Sequence, residues 1–210
     1  MKLLITASLF LCTSFSTFHN TGNPSPLADY SAEWNAPRFL KCNTAANIAY
    51  LSEKEKELIY IFNLLRMDPV LFSTTVVRHY PERSGQNYLA GIDEYKSLLT
   101  DLAGTKPLPL LYADKGLTES AKCHAITSGQ KAYEGHERQT EACNKKLDYQ
   151  GECCDYGESN PLDVLMRLLI DENVPGLGHR FLCLSEYKFI GVSIQPHREY
   201  GSNTVIDFKF

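Results

Sequence analysis

The closing stretch "YKFIGVSIQPHREYGSNTVIDFKF", Tyr187 to Phe210, decides the fold class. Ile190, Val192 and Ile194 stand at every second position, and so do Thr204, Ile206, Phe208 and Phe210. A period of two sends successive side chains to opposite faces of a strand. "PHREYGS" between the two runs carries Pro and Gly and reads as a turn, so the pair predicts a β-hairpin.

Upstream of the hairpin the period is helical. In "LSEKEKELIYIFNLLRMDP", Leu51 to Pro69, Ser52 and Glu55 have the spacing of a capping box. Leu58, Ile59, Phe62 and Leu65 then recur on one face until Pro69 ends the pattern. A second helix is predicted from Ile92 to Leu102, with Tyr95, Leu98, Leu99 and Leu102 in one stripe. A third runs from Asp114 towards Tyr133, and its many small residues permit close backbone approach. A fourth starts at Asn160 (cap) and Pro161 (first turn), carries Leu162, Leu165, Met166 and Leu169, and stops at Val174-Pro175-Gly176. Helices followed by strands predict an α+β fold with helices laid on an antiparallel sheet.

The chain opens with Lys2, the apolar run Leu3 to Cys12 and small or polar residues through Ser16. That is the order of a secretory signal, so residues 1–16 are expected to be removed. No stretch reaches the roughly 20 apolar residues of a membrane-spanning helix. The expected product is exported, extracellular or periplasmic. Residues 17–50 hold Pro24, Pro26 and Pro37 without sustained periodicity and read as an extended N-terminal arm, in part packed down through Trp34, Phe39 and Leu40. Residues 51–210 form the expected domain. A formal charge of −4 gives no basic stripe, which excludes nucleic acid as a partner.

Of the seven cysteines, Cys12 falls in the signal segment. Cys42, Cys123, Cys143, Cys153, Cys154 and Cys183 remain, an even set that favours disulfides in an exported chain. Cys153 and Cys154 are adjacent and lack the C-x-x-C spacing of structural zinc sites. Cys143 with Cys153 or Cys154 would close a short loop and is the first pairing expected.

Among the six histidines, His19 lies just past the cleavage point, and His79 and His197 fall in polar stretches that read as solvated loops. His124 sits mid-helix among small residues, as a satisfied core or edge histidine would. His136 in "YEGHERQ" and His179 in "LGHRF" each follow a glycine just past a predicted helix. Asp171 and Glu172 close the fourth helix, where the negative end of the helix dipole disfavours acids by a few tenths to about 1 kcal/mol. A cation, a protonated histidine, a metal or solvation must offset that. There is no H-E-x-x-H, no Gly-rich phosphate loop and no G-x-S-x-G, so any site is assembled from distant segments.

The order of several pieces resembles the CAP superfamily (cysteine-rich secretory proteins, antigen 5, pathogenesis-related 1), also called SCP-like extracellular proteins. The pieces are "NLLRMDP" with Asn63 and Arg66, "KPLPLLYADKGLTESAKCHA", "GHERQ", "GECC", "LLIDENVPGLGHRFLC", "FIGVSI" and "TVIDF". They span Leu51 to Phe210, and the "GHR" form of the last histidine resembles bacterial members. The resemblance implies a three-layer α-β-α sandwich with a central antiparallel sheet and a cleft lined by two histidines and two acids. These fall on His136, Glu152, Asp171 and His179, with Glu172 the near alternative to Asp171. Two departures stand out: the family's "GEN" is Glu152-Cys153-Cys154, and the tryptophan before the helix acid is Leu168.

Two imidazoles with carboxylates suit Zn²⁺, and carboxylates with waters suit Mg²⁺ or Ca²⁺. The expectation is a secreted module that binds a divalent metal and an unknown ligand, with lipid, glycan and peptide all open. The alternatives are a metal-dependent extracellular hydrolase, a peptidase with Glu152 as its candidate catalytic base, and a structural cell-surface protein.

Overall fold

The computed structural model describes residues 24–146 and 148–210. The expected signal segment and His19 lie outside the described residues. The helices are α1 (Glu53–Met67), α2 (Pro69–Leu71), α3 (Arg78–Arg83), α4 (Asp93–Gly104), α5 (Lys115–Lys131), α6 (Glu141–Asn144), α7 (Pro161–Ile170) and α8 (Gly178–Cys183). The strands are β1 (Tyr112–Ala113), β2 (Gly151–Tyr156), β3 (Phe189–His197) and β4 (Gly201–Lys209).

Local chemistry explains most boundaries. Ser52 and Glu55 form the reciprocal capping box of α1. Pro69 ends α1 and at once opens α2, because its fixed φ suits a first turn and Asp68 caps that turn through the Leu71 amide. A π-helical turn, Phe72–Val77, then carries the chain into α3. Asp114 caps α5, and Asn160 with Pro161 starts α7.

The strands order as β1-β3-β4-β2. The predicted hairpin is β3–β4, paired antiparallel from Phe189 opposite Lys209 to His197 opposite Gly201. β2 runs antiparallel to β4, but β1 runs parallel to β3. The sheet is therefore mixed rather than wholly antiparallel as expected. Two residues are too short to show a period, so "LLYADKG" reads as loop although Tyr112–Ala113 is a strand.

Both faces of the sheet are covered, and the period of two divides them. Cys153, Ile190, Val192, Ile206 and Phe208 join the main core with Leu58, Phe62 and Leu165 of α1 and α7. Cys154 and Val205 point the other way, against Ala121 and Ala125 of α5. Here α5 lies against the sheet backbone itself. A Cβ added at Gly191 would stand 2.1 Å from the Leu117 carbonyl carbon, and one at Gly129 2.1 Å from the Pro196 oxygen.

The described part of the expected arm is not extended. It forms two 3₁₀ turns, Ala32–Asn35 and Pro37–Cys42. Leu27, Trp34 and Phe39 are wholly buried, and Trp34 Nε1 donates to Thr75 Oγ1 at 3.1 Å. Leu40, expected to pack, faces outward at 50% exposure. Short turns between prolines place apolar side chains inward at irregular spacing, which no single period reveals.

One disulfide forms among the described residues, Cys123–Cys143, with a Cα separation of 5.5 Å. This corrects the expected pairing of Cys143 with Cys153 or Cys154. Successive strand residues face opposite layers, and Cys153 and Cys154 lie on β2, whereas Cys143 on α6 meets Cys123 of α5. Cys42, Cys153, Cys154 and Cys183 are buried free thiols. No helix among the described residues is long and apolar enough to cross a membrane.

The contact between α5 and β3 supplies a direct test. Gly191→Ala forces a methyl into backbone atoms that cannot yield as a side chain would. Stability should fall by about 3 kcal/mol, the upper end of the usual overpacking cost. Denaturant unfolding of the variant measures it, and a loss below about 1 kcal/mol would show that α5 can shift away from the sheet.

Candidate functional site

β2 is an edge strand, and the two helical layers meet around its free side. His136 follows α5 from one layer, and His179 sits in α8 from the other. Their rings face each other with centroids 6.5 Å apart across a cleft of about 420 Å³. Tyr80, Tyr88, Tyr156, Asp155, Arg167 and Glu172 contribute to its walls.

Each cleft histidine is held by a carboxylate that is 2% exposed. Glu152 Oε1 lies 2.9 Å from His136 Nδ1, and Asp171 Oδ1 lies 2.7 Å from His179 Nδ1. In both rings the Nδ1 proton is directed at the acid, which leaves Nε2 as the lone-pair nitrogen when the ring is neutral. No protein atom among the described residues bonds either Nε2. The His136 side chain is 57% exposed and that of His179 22% exposed, so both rings reach the cleft.

Asp171 is placed by unusual backbone. It caps α7 in the left-handed region, φ 58°, and Asn173, Gly176 and Leu177 also have positive φ before α8 begins. The turn brings Asp171 Oδ2 to the amide of His179 at 2.9 Å. The dipole cost of an acid at this helix end has a visible offset: the buried Arg180 guanidinium donates to the carbonyls of Leu169 and Ile170, the last of α7. The same guanidinium reaches Ser97 Oγ and Asp101 Oδ2 of α4. Glu172, the alternative acid, turns to the rim and accepts from the Tyr88 hydroxyl at 2.9 Å.

Behind His136 lies a buried charge cluster that sequence reading did not find. Glu152 stands directly opposite Asp207 on the antiparallel pair β2–β4. Like charges so placed repel. The Arg138 guanidinium, 1% exposed, lies between them, with Nη1 2.5 Å from Glu152 Oε2 and Nη2 3.6 Å from Asp207 Oδ2. Neither approach has hydrogen-bond alignment, so both are ion pairs. Burial pushes the Glu152 carboxyl up, but the His136 hydrogen bond and the Arg138 charge outweigh it and hold the group below its ordinary value. Burial and the Glu152 charge push Asp207 the other way, up to about 8. Of the two opposed carboxyls, Asp207 is therefore the one that more readily holds a proton. The Glu152 hydrogen bond raises His136 against the opposing effect of burial.

His124 is also not the satisfied core histidine expected. It is wholly buried; Nε2 meets the Gly135 carbonyl at 2.9 Å, but Nδ1 has no partner among the described residues. A ring nitrogen of His124, a carboxylate oxygen of Glu152 and the Cys154 sulfur lie within 4.8 Å of one another, a set able to hold a metal ion. The spacing of Glu152 and Cys154 in "GECC" carries the signal, since i and i+2 of a strand share a face. His197, expected in a solvated loop, ends β3 with 3% exposure and meets the Tyr133 carbonyl at 3.2 Å. His79 is exposed, on α3 rather than in a loop.

No family model matches the chain, and no curated protein does. Among solved structures it is similar to an extracellular protein containing an SCP domain from Bacillus anthracis strain Ames, at 23% identity with a TM-score of 0.38. The match covers 49% of this chain and 35% of that one, so this chain spans about a third of that protein's length. The chemistry of the site rests on its own geometry.

The proton on Asp207 has a signed consequence. An unfolded aspartate titrates near 3.9, whereas the folded group does so at about 8. Between those values the folded chain binds a proton that the unfolded chain has lost, so stability falls as pH rises through this window. Asp155, pushed up to about 6 by burial despite Arg167, acts in the same direction. Asp207→Asn should therefore flatten the decline between about pH 5 and 8 in denaturant midpoints. Parallel curves for the two proteins would place the proton elsewhere.

Proposed function

We propose that this chain is a secreted CAP-type domain, an α-β-α sandwich whose cleft binds a divalent cation through His136 and His179 and serves as a binding module. The domain would comprise residues 51–210, with the preceding arm packed onto it and a removed signal at residues 1–16. One observation carries the reading: two buried carboxylates each hold the Nδ1 of a cleft histidine and leave its Nε2 free. Metal-binding histidines are commonly oriented this way, by an acid that fixes the tautomer and raises ligand basicity.

The same observation selects among cations. Mg²⁺ and Ca²⁺ require oxygen donors, but Glu152 and Asp171, each 2% exposed, stand behind the rings they hold and do not offer their oxygens to the cleft. Two imidazole nitrogens suit Zn²⁺ better, with the remaining positions left to water or to donor atoms of a ligand. Bound there, the cation would supply Lewis acidity to a ligand oxygen. Glu152 and Asp171 keep the rings aimed, and the tyrosines and Arg167 of the wall contact whatever lipid, glycan or peptide enters.

The hydrolase alternative needs a carboxylate in reach of a water in the cleft. Glu152 is 2% exposed behind His136 and paired with Arg138, which favours a positioning role over that of a catalytic base. Calorimetric titration with Zn²⁺ separates the readings. The expected result is a site weakened more than tenfold in His136→Ala and in His179→Ala, and 10–100-fold in Asp171→Asn. Variants that bind Zn²⁺ normally but melt at lower temperature would make the cluster purely structural. Hydrolysis of a peptide library that disappears in folded Glu152→Gln would favour the enzyme instead.

A further inference from the structure

A second potential ligand set lies one layer deeper than the cleft, between α5 and β2. We infer that His124, Glu152 and Cys154 hold a thiophilic divalent cation of the Zn²⁺ class, at a site distinct from the pair of cleft histidines. Its three donors are a nitrogen, a carboxylate oxygen and a sulfur, mutually within 4.8 Å. Around a tetrahedral Zn²⁺, with bonds of about 2.0 Å to N or O and about 2.3 Å to S, donors stand roughly 3.3–3.8 Å apart. Small side-chain adjustments therefore suffice to close the set.

Independent observations point the same way. His124 is wholly buried, and while its Nε2 meets the Gly135 carbonyl, its Nδ1 has no partner among the described residues. An unmatched buried polar atom in a native core calls for a partner or a role, because leaving it bare is costly. Cys154 is 8% exposed and borders the cleft, so an ion entering there meets the thiol first. A fourth position around the ion is left to water.

The frame around the set is rigid. Glu152 and Cys154 share one face of β2, locked by its register with β4. His124 follows Cys123, whose disulfide to Cys143 closes the loop that carries His136 and Arg138. Binding exchanges the thiol proton for the metal: the S–H bond breaks, the Cys154 sulfur bonds the ion, and the proton leaves to solvent. No oxidant or reductant takes part.

Co²⁺ provides the test, because a thiolate donor gives it a sulfur-to-cobalt charge-transfer absorption that histidines and carboxylates do not. The full chain with its disulfide intact should develop that absorption and saturate at one equivalent. It should persist in His179→Ala, which damages only the cleft pair, and vanish in Cys154→Ser. His124→Asn should weaken the binding more than tenfold. No such absorption in the unaltered chain, or its survival in Cys154→Ser, overturns the inference while leaving the cleft site untouched. A readout without altered ligands covers the case of a variant that does not fold: in His179→Ala, one equivalent of Zn²⁺ should slow maleimide labelling of Cys154, followed by peptide mass spectrometry. An unchanged rate overturns the inference equally.

Discussion

An edge strand ordinarily shows one face to water, but β2 is buried on both. Its period of two therefore decides which helical layer each side chain reaches, and the site depends on that assignment. Glu152 and Cys154 point towards α5, while Cys153 points towards the core of α1 and α7. The two adjacent cysteines touch the two histidine segments from opposite sides: the Cys154 sulfur lies 3.8 Å from His136 Nδ1, and the Cys153 sulfur 3.9 Å from the His179 carbonyl. Glutamate at the first position and a compact, apolar-compatible residue at each of the next two let both layers close on the strand. A register slip of one residue would exchange the faces, placing Glu152 in the apolar core and taking His136 out of reach of its acid.

Three buried arginines convert that sheet into a fixed site. Arg138 separates the opposed carboxylates of Glu152 and Asp207. Arg180 ties α8 to the end of α7 and to α4. Arg66, wholly buried with its pKa lowered to about 10 by burial, pairs with no carboxylate among the described residues and instead donates to the carbonyls of Pro109, Cys183, Ser185 and Tyr187. Those carbonyls flank β1 and join α8 to β3. A guanidinium suits this role because its planar fork offers five donors in fixed directions. Thus one side chain of α1 fixes both the start of the sheet and the exit from the helix that bears His179.

The sequence made legible what repeats and what punctuates. Ser52 with Glu55, Asn160 with Pro161 and the alternation of the hairpin each express a local rule, and each appears in the fold. β1 did not show, because two residues carry no period and a parallel pairing is set by the packing of distant segments. The 3₁₀ turns around Trp34 also have no period; only the burial of three large side chains reveals them. The cleft histidines and acids could be proposed from ordered motifs, yet their pairing could not. That Glu152 meets His136, and Asp171 meets His179, follows from the curl of the α7–α8 turn and from which face of β2 is which. Arg138 and Asp207 were hidden for the same reason: a charge looks solvated until a strand register places it opposite another.

Glu152 is where these constraints converge. Its carboxylate orients a cleft histidine, neutralises a buried guanidinium, stands opposite Asp207 and faces His124 and Cys154. A group so engaged is poorly placed to accept a proton from a water in the cleft, since doing so would break the ion pair and the His136 hydrogen bond together. It is well placed to transmit charge. A cation on the Nε2 side of His136 would draw its Nδ1 proton more firmly onto Glu152. A cation beside Cys154 would draw the same carboxylate the other way. Because both positions face the same Glu152 carboxylate, a charge at either one would alter the field at the other.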